Sequence, residues 1–175
     1  IWARTVTCPN PACGIEMPLT SKWWLAKRKG KEAYIVPSVV TDPAHPSGKR
    51  VKFDIGHDAA AGPKGDDDGT VGRTGAVCVA CGHGVDFAYV RAEGRSRRMG
   101  ARLMAVAAEG TRTRHYLAAT DEHELAARVP IPDDVPEGSL PDEALGFRVQ
   151  NYGLTEYVHL FTPRQLAGLT TFSDL

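Results

Sequence analysis

Long apolar runs are missing from this chain of 175 residues. No stretch approaches the run of about 18 that a bilayer-crossing helix needs, and mean hydropathy is −0.26. No charged-then-apolar leader opens the chain, so nothing in it signals export to an oxidising compartment. Catalytic signatures are also lacking: there is no phosphate-binding GxxxxGK[ST], no GxGxxG after a strand, no HExxH and no GxSxG. The histidines His45, His57, His83, His115, His123 and His159 are scattered, and none is spaced to serve a nucleophile. These absences lead us to expect a soluble, cytoplasmic protein with no membrane contact and no catalytic residue of its own.

Cysteine is scarce, with four residues in all, but their spacing is informative. They form two knuckles, Cys8-Pro9-Asn10-Pro11-Ala12-Cys13-Gly14 and Cys78-Val79-Ala80-Cys81-Gly82. Cys8, Cys13, Cys78 and Cys81 together supply one complete tetrahedral thiolate set, the ligand set of a structural Zn2+ site. A catalytic metal would need an open position, and four thiolates fill the shell, so the expected zinc holds the fold and does no chemistry. Two disulfides, or free buried thiols, are the alternative, disfavoured by pair spacing and redox context. His57 or His83 is a second-choice ligand. Gly14 and Gly82 are expected to turn the backbone with positive φ and aim amide N–H groups at the sulfurs. Asp66-Asp67-Asp68-Gly69 resembles part of a calcium loop, but without alternating carboxylates or a distal glutamate it is assigned no metal.

The expected fold class is α+β, mostly β: a zinc ribbon of short hairpins followed by a small subdomain of a β-hairpin and helices. Residues 1–91 are read as the zinc-ribbon module and 92–175 as the second part. Strand-like runs at Trp23 to Arg28 and Glu32 to Val36, parted by Lys29-Gly30-Lys31, predict a hairpin. Residues 41–75 turn rich in Gly, Pro and Asp, with one strand at Val51 to Ile55 and a mobile loop from Ala59 to Gly69. Thr70 to Cys78 is expected to lead into the second knuckle as a hairpin, and Val85 to Val90 to leave it as a strand. Leu103 to Ala108 and Thr111 to Ala118 are read as a hairpin, Arg112 and Arg114 on one face and Thr113 and His115 on the other, with a helix over 99–108 as the rival. Asp121 with Glu124 predicts a capped helix running to Arg128. Residues 130–143 read as an acidic, proline-rich arm, and Phe147 to Val149 as a strand. Thr162-Pro163-Arg164-Gln165 is a well-formed helix start, with Leu166, Leu169, Phe172 and Leu175 on its apolar side. The opening Ile1-Trp2 and the ending inside that helix lead us to expect a piece of a longer protein.

Net charge is zero, with 21 basic and 21 acidic residues, but the charges are segregated. Basic residues gather at Lys22 to Lys31 and at Arg91 to Arg102, whereas 121–143 holds eight acids and one arginine. Lys27, Arg28 and Lys29 beside Trp23, with Arg95, Arg97, Arg98 and Arg102, are therefore the candidate nucleic-acid contacts. The cations would neutralise phosphates and the indole would stack on bases. Packing against protein, with the same residues paired to the acidic arm, is the competing reading.

Taken together, these segments resemble the middle part of a family of large prokaryotic adenine-specific DNA methylases with an internal zinc ribbon. The resemblance rests on the two knuckles, on Trp23-Trp24-Leu25, on Glu93-Gly94-Arg95 with Arg98-Met99-Gly100, and on Leu160 to Leu166 running into Leu169 to Leu175. It implies methyl transfer from S-adenosylmethionine to adenine by a parent enzyme whose cofactor and catalytic motifs are not in this chain, which by itself would neither bind that cofactor nor catalyse. It also implies that this segment lies in an insertion where target recognition is often housed, so that DNA and the remainder of the methyltransferase would be its partners. Such enzymes often serve modification or phage-defence systems. The alternative is a structural scaffold or protein–protein module that never touches nucleic acid. A free-standing zinc-ribbon transcription or RNA-binding factor is a more distant third.

Overall fold

A computed structural model describes every residue except 66, 67, 112, 143–145, 147, 174 and 175. The chain is mostly β, with small antiparallel sheets and, among the described residues, three α-helices. It divides into two compact units, residues 1–89 with 99–120, and residues 90–98 with 121–175. The segment 99–120, read from sequence as part of the second half, therefore packs with the cysteine-bearing residues.

In the first unit, β1 (Trp2–Thr7) lies between β2 (Glu16–Leu19) and a later strand, β8 (Gly100–Leu103), antiparallel to both. Ala3, Thr5 and Val6 of β1 and Met17 of β2 are buried, so this small sheet contributes much of the core. β3 (Trp24–Ala26), β4 (Ala33–Thr41) and β5 (Lys49–Gly56) form a second sheet, with β4 and β5 paired over their length from Tyr34↔Gly56 to Thr41↔Lys49. The predicted hairpin at Lys29-Gly30-Lys31 is present, with Gly30 at φ 76° in its turn. The predicted strand at Val51 to Ile55 is β5. It buries Val51 and Phe53, the alternation expected of a strand with one covered face.

A two-residue turn between Gly72 and Gly75 and the bridge Val71↔Ala76 lead into β6 (Gly75–Val77), which pairs with β7 (Gly84–Asp86). The strand expected over Val85 to Val90 stops at Asp86 and α1 (Phe87–Arg95) begins. The Asp86 carboxylate accepts the Tyr89 amide N–H at 2.7 Å, satisfying one of the orphan donors at a helix start. Val90, Glu93 and Gly94 then fall on one helical face and are buried. After β8, Met104 breaks the run by donating its N–H to the Ile1 carbonyl. β9 (Ala105–Glu109) and β10 (Arg114–Ala118) form the expected hairpin and not the rival helix. They pack on β5.

The second unit is lean in regular structure. α2 (Asp121–Ala126) starts where the capping pattern predicts it. The acidic arm has no helix or strand among its described residues, apart from the bridge Ser139↔Glu156 beside buried Leu140. Where a strand was expected near Val149, residues Val149–Tyr152 make a 3-10 turn ended by Gly153 at φ 82°; Phe147 lies outside the described residues. α3 (Pro163–Ser173) has the predicted start, with Gln165 N–H donating to Thr162 Oγ1 at 3.3 Å and Thr162 N–H to Gln165 Oε1 at 2.9 Å. Of its apolar side only Leu166 is buried; Leu169 and Phe172 are exposed, and Leu175 is outside the described residues.

Ile35, 1% exposed, is held by its own N–H to the Trp23 carbonyl as well as by the two-sided pairing of β4. Ile35→Ala leaves a cavity the paired strands cannot close. It is expected to cost about 3 kcal/mol of stability, measured by denaturant unfolding.

Candidate metal centre

Each knuckle is the tip of an antiparallel hairpin. Cys8 directly follows β1, and the Cys8 N–H donates to the Ile15 carbonyl at 2.8 Å, so Cys8 and Cys13 sit in the β1–β2 turn. Cys78 follows β6, and its N–H donates to the His83 carbonyl at 2.9 Å, closing the β6–β7 turn around Cys81. Gly14 at φ 56° and Gly82 at φ 70° occupy the left-handed conformation expected of them, where a Cβ would be strained.

The two tips meet. Cys8, Cys13, Cys78 and Cys81 place all four Sγ atoms within 4.8 Å of one another. Cys8 and Cys81 sulfurs are 3.7 Å apart, and those of Cys13 and Cys78 are 3.9 Å apart. A disulfide needs about 2.05 Å. A tetrahedron with metal–sulfur bonds of about 2.3 Å has edges of about 3.8 Å. The cluster therefore has the size of a metal-thiolate shell, as in a zinc ribbon, and four thiolates around one centre suit a soft or borderline cation.

Electrostatics differ across the cluster. Burial pushes the Cys8 thiol up to about 12 and also raises Cys78, whereas the Cys81 thiol falls to about 7, mainly because the His83 backbone amide donates to its sulfur. Further amides of Asn10, at Cys8, and of Ala80 and Cys81, at Cys78, favour the thiolates. Of these N–H groups only that of His83 follows a knuckle glycine, Gly82; those of Asn10, Ala80 and Cys81 come before the glycines. A metal ion bound here would supply the positive charge that holds the buried thiols deprotonated.

Sequence reasoning missed Asn10. Its carbonyl accepts the N–H groups of Cys13 and Gly14 at 2.8 and 3.1 Å, and its Oδ1 accepts Ala12 N–H at 3.0 Å. Its Nδ2 reaches Cys81 Sγ of the other hairpin at 3.8 Å. The signal was an asparagine between two prolines inside a knuckle, a residue suited to an Asx turn. His83 contributes backbone groups only. His57 lies elsewhere in the unit, its Nδ1–H donating to the Glu32 carbonyl at 2.8 Å.

The basic residues fare unevenly. Lys27, Arg28 and Lys29 are exposed in the β3–β4 turn, with Lys27 Nζ 5.5 Å from the centre of the Trp24 ring. Trp23, expected to offer a stacking face, is 8% exposed and belongs to the core. Adjacent strand residues face opposite ways, and here the inward one is Trp23. Its neighbour Trp24 is also engaged, edge-on to Tyr34 and donating Nε1–H to the Pro63 carbonyl at 3.0 Å. Arg95 and Arg97 are exposed in the second unit. Arg98 makes a forked contact to the buried carboxylate of Glu93, at 2.6 and 3.1 Å. Arg102, half-buried, lies 3.8 Å from Glu16. Both of these last arginines hold the fold together before they meet any ligand.

No helix among the described residues is long and apolar enough to cross a membrane. No protein-family model, curated protein or solved structure matches this chain.

Two outcomes are expected. Asn10→Ala removes the contact between hairpins and lowers metal affinity by roughly tenfold in competition with a chromophoric chelator. In metal-free protein Cys8 is held neutral, so its contribution to stability is fully present below the free-thiol value of 9.0 and is lost as pH rises toward about 12. Metal-loaded protein behaves oppositely and loses stability on acidification, because protons compete for the thiolates. Thermal melts across pH with and without chelator check both signs.

Proposed function

We propose that the four cysteines hold one structural zinc ion and that the chain is the zinc-ribbon insertion of an adenine-specific, S-adenosylmethionine-dependent DNA methyltransferase. In this reading it works in the cytoplasm and helps position DNA, while the cofactor and the methyl transfer belong to the rest of the parent enzyme. The observation that carries the zinc assignment is the set of four sulfurs at tetrahedral edge distances on two hairpin tips. Zinc suits this set because it prefers four-coordinate thiolate sites and takes no part in redox chemistry. Support for DNA contact is the cationic surface of Lys27, Arg28 and Lys29, with Arg95 and Arg97 in the other unit. Without Trp23 the contact is electrostatic, aimed at phosphates and indifferent to sequence.

A second reading is favoured by one observation. Leu169 and Phe172 on α3 are 50% and 78% exposed, and large apolar side chains in such a position suit a covering partner. A scaffold that recruits protein through this helix would need no nucleic acid.

Elemental analysis is expected to return one zinc per chain, with the four thiols alkylated only after chelation. Duplex DNA binding, followed by anisotropy between about 50 and 200 mM salt, is expected to weaken steeply. Replacing Lys27, Arg28 and Lys29 with alanine should flatten the log–log slope by up to about three units. A wild-type chain that ignores DNA at physiological salt leaves the scaffold reading standing.

A further inference from the structure

We infer that the first unit carries a phosphoryl-binding cleft, distinct from the metal centre and lined by the second half of the β3–β4 turn without Lys27, Arg28 or Lys29. The cleft has a volume of about 670 Å³ and opens where the β3–β4 turn, the end of β5 and the β9–β10 hairpin converge. That volume falls in the range of small-ligand sites, about 300–1,000 Å³. Its chemistry comes from Lys31, Glu32, His57, Arg114, His115 and Tyr116. Among the described residues, Lys31, Arg114 and two imidazoles therefore line one concavity with Glu32, and Glu109 lies beside Arg114. A concavity that holds lysine and arginine side chains attracts an oxyanion, and low-dielectric walls strengthen that attraction.

The individual groups suit a phosphoryl oxygen cluster. His57 donates Nδ1–H to the Glu32 carbonyl at 2.8 Å, which fixes the ring; its Nε2 can donate to a phosphoryl oxygen as part of the imidazolium. Arg114 is 3.5 Å from Glu109, but the two side chains are 58% and 84% exposed. So solvated a pair is weak, and the arginine fork can exchange it for a bidentate phosphate. The His115 ring lies against the hairpin turn: a Cβ built on Gly110 would come 2.8 Å from its Nε2. Glycine at 110 is what lets the imidazole occupy that place. Tyr116 is held at the wall by its hydroxyl, which donates to the Leu25 carbonyl at 3.4 Å.

A phosphoryl group reaches such a cleft either on a free nucleotide or as a backbone phosphate of single-stranded nucleic acid. The cleft does not depend on the DNA reading above, because none of Lys27, Arg28 and Lys29 lines it. The test uses the full, metal-loaded chain and follows chemical shifts of residues 113–117 and His57 on adding inorganic phosphate, adenosine monophosphate, adenosine, or a short single-stranded oligodeoxynucleotide. Shifts with phosphate and adenosine monophosphate, but not with adenosine, support the cleft and identify a free ligand. Shifts with the oligonucleotide alone support it and identify the backbone. The paired change Arg114→Ala with His115→Ala is expected to weaken binding at least about tenfold. Gly110→Ala keeps every charge yet displaces His115, so a several-fold loss in that variant separates a shaped site from general surface attraction. Zinc content and circular dichroism confirm folding for each variant. The inference is overturned if no phosphorylated probe moves these resonances, or if Gly110→Ala and the paired variant both bind as wild type. Oligonucleotide binding that is lost only with Lys27, Arg28 and Lys29 overturns the cleft and leaves the DNA reading intact.

Discussion

Four sulfurs, brought from sequence separations of 65 and 73 residues, share one small volume, and this constraint organises the first unit. If ionised without a counter-charge they would repel at contact range; if left neutral, the backbone N–H groups aimed at Cys8 and Cys78 have no thiolate to stabilise. Burial has already pushed Cys8 and Cys78 toward the neutral form, so the cluster is poised between protons and a cation. The hairpins that present the sulfurs cannot secure this on their own. β6 and β7 are three residues each, too short to be stable in isolation. A metal ion bound between two such tips would convert weak local structure into a fixed junction, the usual route to stability where apolar core is limited.

The rest of the unit is arranged around that junction. β1 continues from the first knuckle into the middle of a three-stranded sheet, and Asp86, at the end of β7, caps α1 within a few residues of the second. Thr70 ties the approach to β6 back onto the end of β2, its hydroxyl donating to the Pro18 carbonyl at 2.6 Å. Small sheets are thus linked by side-chain hydrogen bonds and by the cysteine cluster more than by a single large core. A zero net charge conceals two kinds of basic residue. Arg98 and Arg102 are engaged with Glu93 and Glu16, whereas Lys27 to Lys29 face solvent. Segregation of charge along a sequence therefore gives an upper limit on the cations left for a partner.

Much of the local structure was legible because it depends on near neighbours. The Lys29-Gly30-Lys31 turn, the β5 alternation, the Thr162 to Gln165 helix start and the positive-φ glycines after Cys13 and Cys81 each follow from a few adjacent residues. Misreadings arose where two periods fitted the same letters. Val85 to Val90 alternates acceptably for a strand, yet the Asp86 cap and the burial of Val90, Glu93 and Gly94 make it helical after Asp86. Trp23 and Trp24 illustrate the other limit. The pattern required that one face inward, but which one depends on the pairing of Trp24 with Tyr34 and on the loop carbonyl of Pro63.

The sequence by itself determined that this is a mostly β chain with helices opening at Asp121 and Thr162 and with four cysteines spaced as a complete thiol set, because strand alternation, turn chemistry and cysteine spacing are local and survive without a fold. Only the tertiary structure decided that the two knuckles meet, that Asn10 links them, that segment 99–120 joins the cysteine-bearing unit through β8 and β1, and that Lys31, His57, Arg114 and His115 line one cleft. Each of these joins residues far apart in the chain. What sets them is strand register and sheet packing, which carry no signature in any short stretch of residues.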